Sequence, residues 1–356
     1  MPDHRHEDRC CICGFIPPYL VESLADSEDA RVRKVAFATL EATTTARATR
    51  LVNPSQLLGR SVAPGQGRSR VVYDMEGRSM PLPGTLRRTE YQSAVLQDEV
   101  DEAFENAGRT YEFYRSVMGL DSLDGGGFPI VSSVNFGFQV GNAFWDGERI
   151  VYGAGDGNLF LPFTRSLAVA AHEMSHGVLS FSSDLDYEGE TGALNESFCD
   201  VMGISVEQYT NGTSVAEARW SLGAELLGPA LADVEAIRTF EARPAFKDHP
   251  NLSTDPQPKH MRDYVFTDKD RGGVHINSGI PNHAFYLVAQ ALGGNVWDRS
   301  ARIWFEAFTN VLNRRASFQQ AALATASVAR QKFGEEAGLA VSNAWRAVGV
   351  QPDVRP

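Results

Sequence analysis

Apolar positions set the outline of the chain before any single residue type does. Leu24, Val32, Val35, Ala36 and Leu40 recur at near-helical spacing and predict a short helical unit over roughly residues 15–50. It follows a rigid apolar lead-in, Phe15-Ile16-Pro17-Pro18-Tyr19-Leu20. From Thr43 to Gly67 the composition turns to Thr, Ala, Arg, Pro, Ser and Gly, which reads as a linker. A unit this small cannot hold a core alone and must dock on something. Beyond the linker, Val71–Gly77 reads as a strand and turn, and residues 93–118 carry helical periodicity through Val95, Val100, Ala103, Phe104, Tyr111 and Tyr114. Strands follow around Ile130–Phe138, and Ala143–Tyr152 reads as a hairpin closed by Asp146-Gly147. A largely apolar helix is predicted near 166–183, and helices dominate from about 191 to 348. Strands first and helices later predict an α+β protein of two lobes, with a cleft between them as the natural active-site position. The expected divisions are 1–60, a leading segment and linker; 61–190, a mixed α/β lobe; and 191–356, a helical lobe.

Charge and composition narrow the function classes. The chain has 356 residues and a net charge of −12 without a strong basic patch, which argues against nucleic acid or an anionic membrane as the main partner. No run of about eighteen apolar residues exists, so no membrane span is expected. Met1 to Arg9 is charged and lacks the apolar core of a signal peptide, so the expectation is a cytoplasmic protein, or one exported by a non-classical route. Four cysteines are too few and too clustered for a disulfide framework, and fit folding in a reducing compartment. Cys10, Cys11 and Cys13 stand near His4 and His6, a set that could capture a metal adventitiously, and Cys199 reads as a small buried filler.

Chemistry concentrates in His172-Glu173-Met174-Ser175-His176. Helical positions four apart share a face, so both imidazoles can converge on one metal ion, and Glu173 can reach a water held by that ion. An ordinary surface helix could carry the same residues, but Leu167, Val169, Ala170, Ala171, Val178 and Leu179 make this one apolar on most sides. Downstream, Glu196 and Asp200 share a face of a second helix. Glu196 can complete a His/His/Glu shell that leaves a fourth position open, while Asp200 and Asn195 can accept the free ring N–H groups of the histidines. The alternative is a solvated acidic helix start, against which Leu194, Phe198, Val201 and Met202 weigh.

These blocks, together with Asn142-Ala143-Phe144-Trp145-Asp146-Gly147 and Gly273-Val274-His275-Ile276-Asn277-Ser278-Gly279 in order, closely resemble the thermolysin family of zinc endopeptidases, especially its protealysin-like branch. The resemblance runs from about Val71 to Gly349 and implies a mixed α/β N-terminal lobe and a mainly helical C-terminal lobe, with the zinc site in the cleft. It implies His172, His176 and Glu196 as ligands of one catalytic zinc, and Glu173 as base and proton shuttle. It implies His275 and Tyr187 as oxyanion donors, Asp270 as the carboxylate that orients His275, and Asn142, the Ala143 backbone and Arg238 as groups holding the substrate main chain. Phe160, Phe163, Val169 and Ile237 would wall the pocket for a bulky hydrophobic residue just after the scissile bond. Without the resemblance, Tyr187 reads equally as a core tyrosine and His275 as a loop histidine.

The first segment is similar to the short propeptide of protealysin-like precursors, on the motif Ile16-Pro17-Pro18-Tyr19-Leu20. That implies a self-processed zymogen cut between about Thr43 and Arg70. A separate reading makes Cys13 a thiolate for the zinc's open position, the alternative being a Cys/His-rich tail without a role. Expected partners are peptide or protein substrates, the chain's own propeptide and a candidate proteinaceous inhibitor. Where thermolysin carries acidic calcium ligands, this chain has Ala168, Arg219, Ser221 and Ala224, with Glu207 the principal acidic survivor, so that calcium site is expected to be empty. Arg271 replaces an asparagine after Asp270 and could compete for that carboxylate. The rival reading is a non-catalytic zinc-containing binding protein; retention of Glu173, His275 and Tyr187, which zinc binding does not need, favours the enzyme.

Overall fold

The computed structural model describes residues 13–52 and 67–352, so His4, His6, Cys10, Cys11 and the 53–66 part of the expected cleavage stretch lie outside it. The chain divides into two compact units: Met1–Gly177 with Gly223–Ala236 and Asp248–Ser253, and Val178–Leu222 with Ile237–Lys247 and Thr254–Pro356.

In the first unit, the elements in order are β1 (Cys13–Gly14), α1 (Pro18–Ala25), α2 (Ala30–Val52), β2 (Arg70–Asp74), β3 (Thr85–Thr89), α3 (Asp98–Phe113), β4 (Ile130–Phe136), β5 (Ala143–Trp145), β6 (Ile150–Gly153) and α4 (Leu167–Ser180), whose last residues pass into the second unit. One sheet runs β1-β5-β6-β4-β2-β3. Its centre, β2-β4-β6, is parallel, while β3 and β5 pair antiparallel on either side and β1 continues beyond β5. The β5–β6 hairpin turns where expected: Asp146 Oδ1 accepts the N–H groups of Glu148 and Arg149, each at 2.9 Å, and Gly147 takes a φ of 101° that only glycine adopts without strain.

Helix α2 departs from the sequence pattern. It runs on to Val52, past Thr43 where composition predicted a linker. The threonines are accommodated because Thr39 and Thr43 each donate to the carbonyl four residues back, at 2.8 Å. Ala42 and Ala46 then pack into a buried cluster with Met75, Phe136, Val140, Phe144 and Val151. Helix α3 starts later than expected, at Asp98, because the Asp101 carboxylate accepts the N–H groups of Val95 and Leu96 at 3.1 and 2.9 Å and holds them in a loop. Val95 is therefore exposed rather than part of a buried face.

The second unit is mainly helical: α5 (Gly189–Asn211), β7 (Ser221–Leu222), β8 (Arg238–Thr239), α6 (Asp270–Asn277), α7 (Gly279–Leu292), α8 (Ser300–Glu306), α9 (Phe318–Phe333) and α10 (Glu335–Ala347). β7 and β8 form a short antiparallel pair. Trp304 of α8 and Trp345 of α10 stack with ring centroids 6.1 Å apart and planes 3° from parallel, both fully buried. Trp345 Nε1 donates to Thr325 Oγ1 of α9 at 2.9 Å, so one side chain ties three helices together. Among the described residues, no helix is long and apolar enough to cross a membrane. Trp345→Ala should cost about 3–5 kcal/mol through the cavity it leaves and the loss of the bond to Thr325. Urea unfolding followed by circular dichroism checks this, and a loss below about 1 kcal/mol would contradict the packing described.

Candidate metal centre and oxyanion groups

In the first unit, α4 presents His172, Glu173 and His176, all buried, with one potential ligand atom from each lying within 4.8 Å of the others. The two imidazole centroids are 4.9 Å apart and nearly perpendicular. This donor set, two neutral-capable imidazoles beside a carboxylate, suits a borderline cation such as zinc. The helix is held at several points. Ser166 Oγ accepts Val169 N–H at its start, at 3.1 Å. Between the histidines, Ser175 Oγ donates to Ala171 O at 2.6 Å and meets the buried Tyr114 hydroxyl at 2.5 Å. At Gly177 a Cβ would lie 2.9 Å from Leu123 and 3.2 Å from Trp145, so only glycine lets the helix approach this closely. Tyr152 is buried near Glu173; burial first, and the Glu173 charge second, push its phenol well above the usual range.

The strand edge beside this helix carries a peptide segment of the chain itself. Phe15 N–H donates to Ala143 O at 2.9 Å. Asn142 then clamps Ile16 from both sides, its Oδ1 accepting Ile16 N–H at 2.8 Å and its Nδ2 donating to Ile16 O at 3.2 Å. The Phe15 ring stands edge-on to His172, with centroids 5.4 Å apart. Gly14 makes room for the clamp, since a Cβ there would lie 2.4 Å from Asn142 Nδ2. A second anchor lies close by: Thr39 Oγ1 of α2 accepts Gly141 N–H at 2.9 Å. Phe160 and Phe163 pack with centroids 5.9 Å apart, and both are buried, as is Val169.

In the second unit, α5 carries Asn195, Glu196 and Asp200, all buried. The Tyr187 hydroxyl donates to Glu196 and lies 3.2 Å from His275 Nε2, which is itself 3.5 Å from Glu196 Oε1. Asp270 accepts twice from His275, from its backbone N–H at 2.9 Å and at Nδ1 at 2.8 Å. This geometry needs the left-handed run Asp270, Arg271, Gly272 and Gly273, where two glycines relieve part of the strain. Arg271 is exposed, while both Asp270 oxygens are engaged by His275. Arg238, with 1% of its surface exposed, donates to Asp200 Oδ1 at 2.8 Å, and Asn282 Nδ2 reaches Asp200 Oδ2 at 2.9 Å. Ile237 is fully buried, and Asn195 Nδ2 donates to Leu185 O at 3.3 Å. Sequence reasoning missed Asn282, Tyr114 with Ser175, and Gln257, whose Nε2 donates to His275 O at 2.7 Å. For Asn282 the one available signal was a polar residue on a largely apolar helix; for Gln257 there was none.

A metal-binding HExxH helix closing a mixed sheet unit, followed by a helical unit with a buried His–Asp pair, defines a zinc metallopeptidase. Family models agree over nearly the whole chain: "Thermolysin metallopeptidase, catalytic domain" over residues 37–180 and "Thermolysin metallopeptidase, alpha-helical domain" over 183–350. The chain is 37% identical over 341 residues to an "Extracellular metalloprotease" of Pectobacterium carotovorum subsp. carotovorum, spanning 96% of this chain and 97% of that one. It is 36% identical over 297 residues to "Neutral protease NprE" of Bacillus pumilus, spanning 82% and 91%. The solved structure of the precursor of protealysin, a metalloproteinase from Serratia proteamaculans, superposes with a TM-score of 0.85 at 36% identity, over 95% of this chain and 99% of that one. The chain belongs to the thermolysin family of zinc-dependent metallopeptidases, and its substrates are peptides. One expectation is corrected. Relatives named as extracellular point to secretion and overturn the cytoplasmic assignment drawn from the charged N-terminus and sparse cysteines.

His275 gives this site a pH signature. Burial disfavours its charged form, but the Glu196 and Asp270 carboxylates outweigh burial and raise its pKa from 6.5 to about 9. In metal-free protein, the stability this histidine contributes should be complete below about pH 6.5 and lost as pH rises through about 9. Ring-proton NMR should show the titration, and Asp270→Asn should move it toward lower pH. A midpoint unaltered by that substitution would rule out the carboxylate as its cause.

Proposed function

We propose that this protein is an endopeptidase made as a self-processed zymogen and acting outside the cell, with preference for a bulky hydrophobic residue just after the scissile bond. The observation that carries the reading is the main chain of Phe15–Ile16 held by Ala143 and Asn142 beside His172, as an extended peptide substrate would be. In this reading His172, His176 and Glu196 hold one zinc ion, which when bound supplies Lewis-acid polarisation and lowers the pKa of water. Glu173 takes the proton of the attacking water and returns it to the departing nitrogen. His275, oriented by Asp270, and Tyr187 donate to the oxyanion, each such donor being worth about 3 kcal/mol of barrier. Asn142, the Ala143 backbone and Arg238 hold substrate; Phe160, Phe163, Val169 and Ile237 wall the specificity pocket. No covalent acyl intermediate forms.

The chain's own first segment is then a propeptide that occupies the place of substrate until it is cut away between about Thr43 and Arg70. Cys13, the first residue of β1, is the candidate thiolate. Of the positions the resemblance assigns to calcium, Ala168, Arg219, Ser221 and Ala224 carry no carboxylate and Glu207 carries one, fewer acidic groups than calcium favours.

Two experiments test this. Purified precursor should shed its N-terminal segment and then digest casein, whereas Glu173→Ala should keep the segment and lose at least about 1,000-fold in activity. Processing of the Glu173→Ala chain at the normal rate, in the absence of other proteases, would remove Glu173 from the mechanism. Added millimolar calcium should leave the melting temperature of the processed enzyme within about 1 °C, since a bound ion would raise it by mass action. A saturable rise of several degrees would restore a calcium site.

A further inference from the structure

We propose that Asp186, gripped by Arg314 and Arg315, is the positioning residue that aims the Tyr187 hydroxyl. The inference rests on the reading of Tyr187 as an oxyanion donor. Tyr187 stands between α4 and α5, in a stretch where no helix or strand fixes the chain, yet its hydroxyl must meet a fixed point. A displacement of about 1 Å at such a group can cost as much as 100-fold in rate. Side-chain tethers do the work that regular structure does elsewhere. Asp186 is held at three atoms: its N–H donates to Arg314 O at 2.8 Å, its Oδ1 accepts from Arg314 Nε, and its Oδ2 accepts from Arg315 Nε at 3.1 Å.

The residues on either side are tied as well. Leu185 O accepts from Asn195 Nδ2 at 3.3 Å, from the helix that carries Glu196. Past Tyr187, the Glu190 carboxylate accepts Phe318 N–H at 2.7 Å and Thr191 Oγ1 donates to Ala316 O at 3.0 Å. The receiving loop is itself stiff. Asn313 Oδ1 accepts Arg315 N–H at 3.0 Å, and Ser317 with Gln320 forms a reciprocal cap at the start of α9. Tyr187 is thus bracketed by bonds to two helices of its own unit, and Asp186 is its immediate neighbour.

An exposed ion pair of this kind adds little to stability: the Arg314 and Arg315 side chains are 39% and 87% exposed. A role in aiming Tyr187 therefore separates cleanly from a role in folding. In processed enzyme acting on an internally quenched peptide, the double change Arg314→Gln with Arg315→Gln should lower kcat about tenfold while KM stays within about twofold. The melting temperature should stay within about 2 °C. In a Tyr187→Phe background the same double change should have no further effect on kcat, because the hydroxyl it aims is gone. Asp186→Asn, which keeps the backbone bond and removes only the charge, is read the same way and serves if the double variant folds poorly. An equal fall in both backgrounds, or no fall with Tyr187 present, overturns the proposal. If Tyr187→Phe slows the enzyme while the arginine changes do not, the positioning role alone fails. If Tyr187→Phe leaves kcat unchanged, the donor reading fails and the positioning role with it.

Discussion

Helical periodicity places two imidazoles on one face of α4, and everything else about the first unit follows from keeping that helix still. Ligand bonds near 2 Å tolerate little drift, so the ring nitrogens must be held by packing rather than by the metal alone. The chain meets this with contacts on different sides of the same helix: Ser166 at its start, Tyr114 against Ser175 in its middle, and the close approach of Leu123 and Trp145 at Gly177. Ser175 is the informative position. It sits between the two histidines in sequence, and its hydroxyl links the helix to α3's C-terminal turn instead of to solvent.

A sheet edge is a liability that this unit turns to use. Strand β5 would present unpaired N–H and C=O groups, and such an edge recruits extended chain. In a peptidase that recruitment is the first step of substrate binding. Here β1 takes the position, and α2, later in the same segment, is anchored to the unit through Thr39 on Gly141 and the buried alanines Ala42 and Ala46. The bonds from Ala143 and Asn142 to Phe15 and Ile16 go to main-chain atoms, so these do not discriminate among sequences. Specificity has to come from side-chain pockets, and the apolar character of Phe160, Phe163 and Val169 is what makes a hydrophobic preference the expected one.

The readable parts of this molecule are those whose signal is local. Two histidines four apart and an Asp-Gly turn each declare themselves within ten positions, and the hairpin and the α4 helix lie where the pattern puts them. Helix α2 was unreadable past Thr43 because threonine is a weak helix former; what favours the helix is the fit of Ala42 and Ala46 against a sheet far along the chain. Val95 misled for the opposite reason, being apolar and in phase yet held in a loop by Asp101. The tether between Asp186 and Arg314 spans residues too distant for any periodicity to link, and both are residue types that ordinarily face water.

Buried charge explains why the second unit is organised around α5. Removing a carboxylate from water is costly unless donors replace the lost solvation, and α5 buries Glu196 and Asp200 four residues apart. Asp200 is answered by a full cation and an amide, Arg238 and Asn282, while Glu196 is answered by a phenol and by an imidazole that a second carboxylate, Asp270, helps to keep protonated. The difference in partners matters chemically. A guanidinium holds its charge at every accessible pH and makes Asp200 a permanent fixture, whereas Tyr187 and His275 are donors that can be redirected. Should a cation take over the charge of Glu196, both donors would be released to a substrate oxygen without leaving a buried charge uncompensated. The groups that partner Glu196 in this structure are therefore the ones the proposed chemistry calls on.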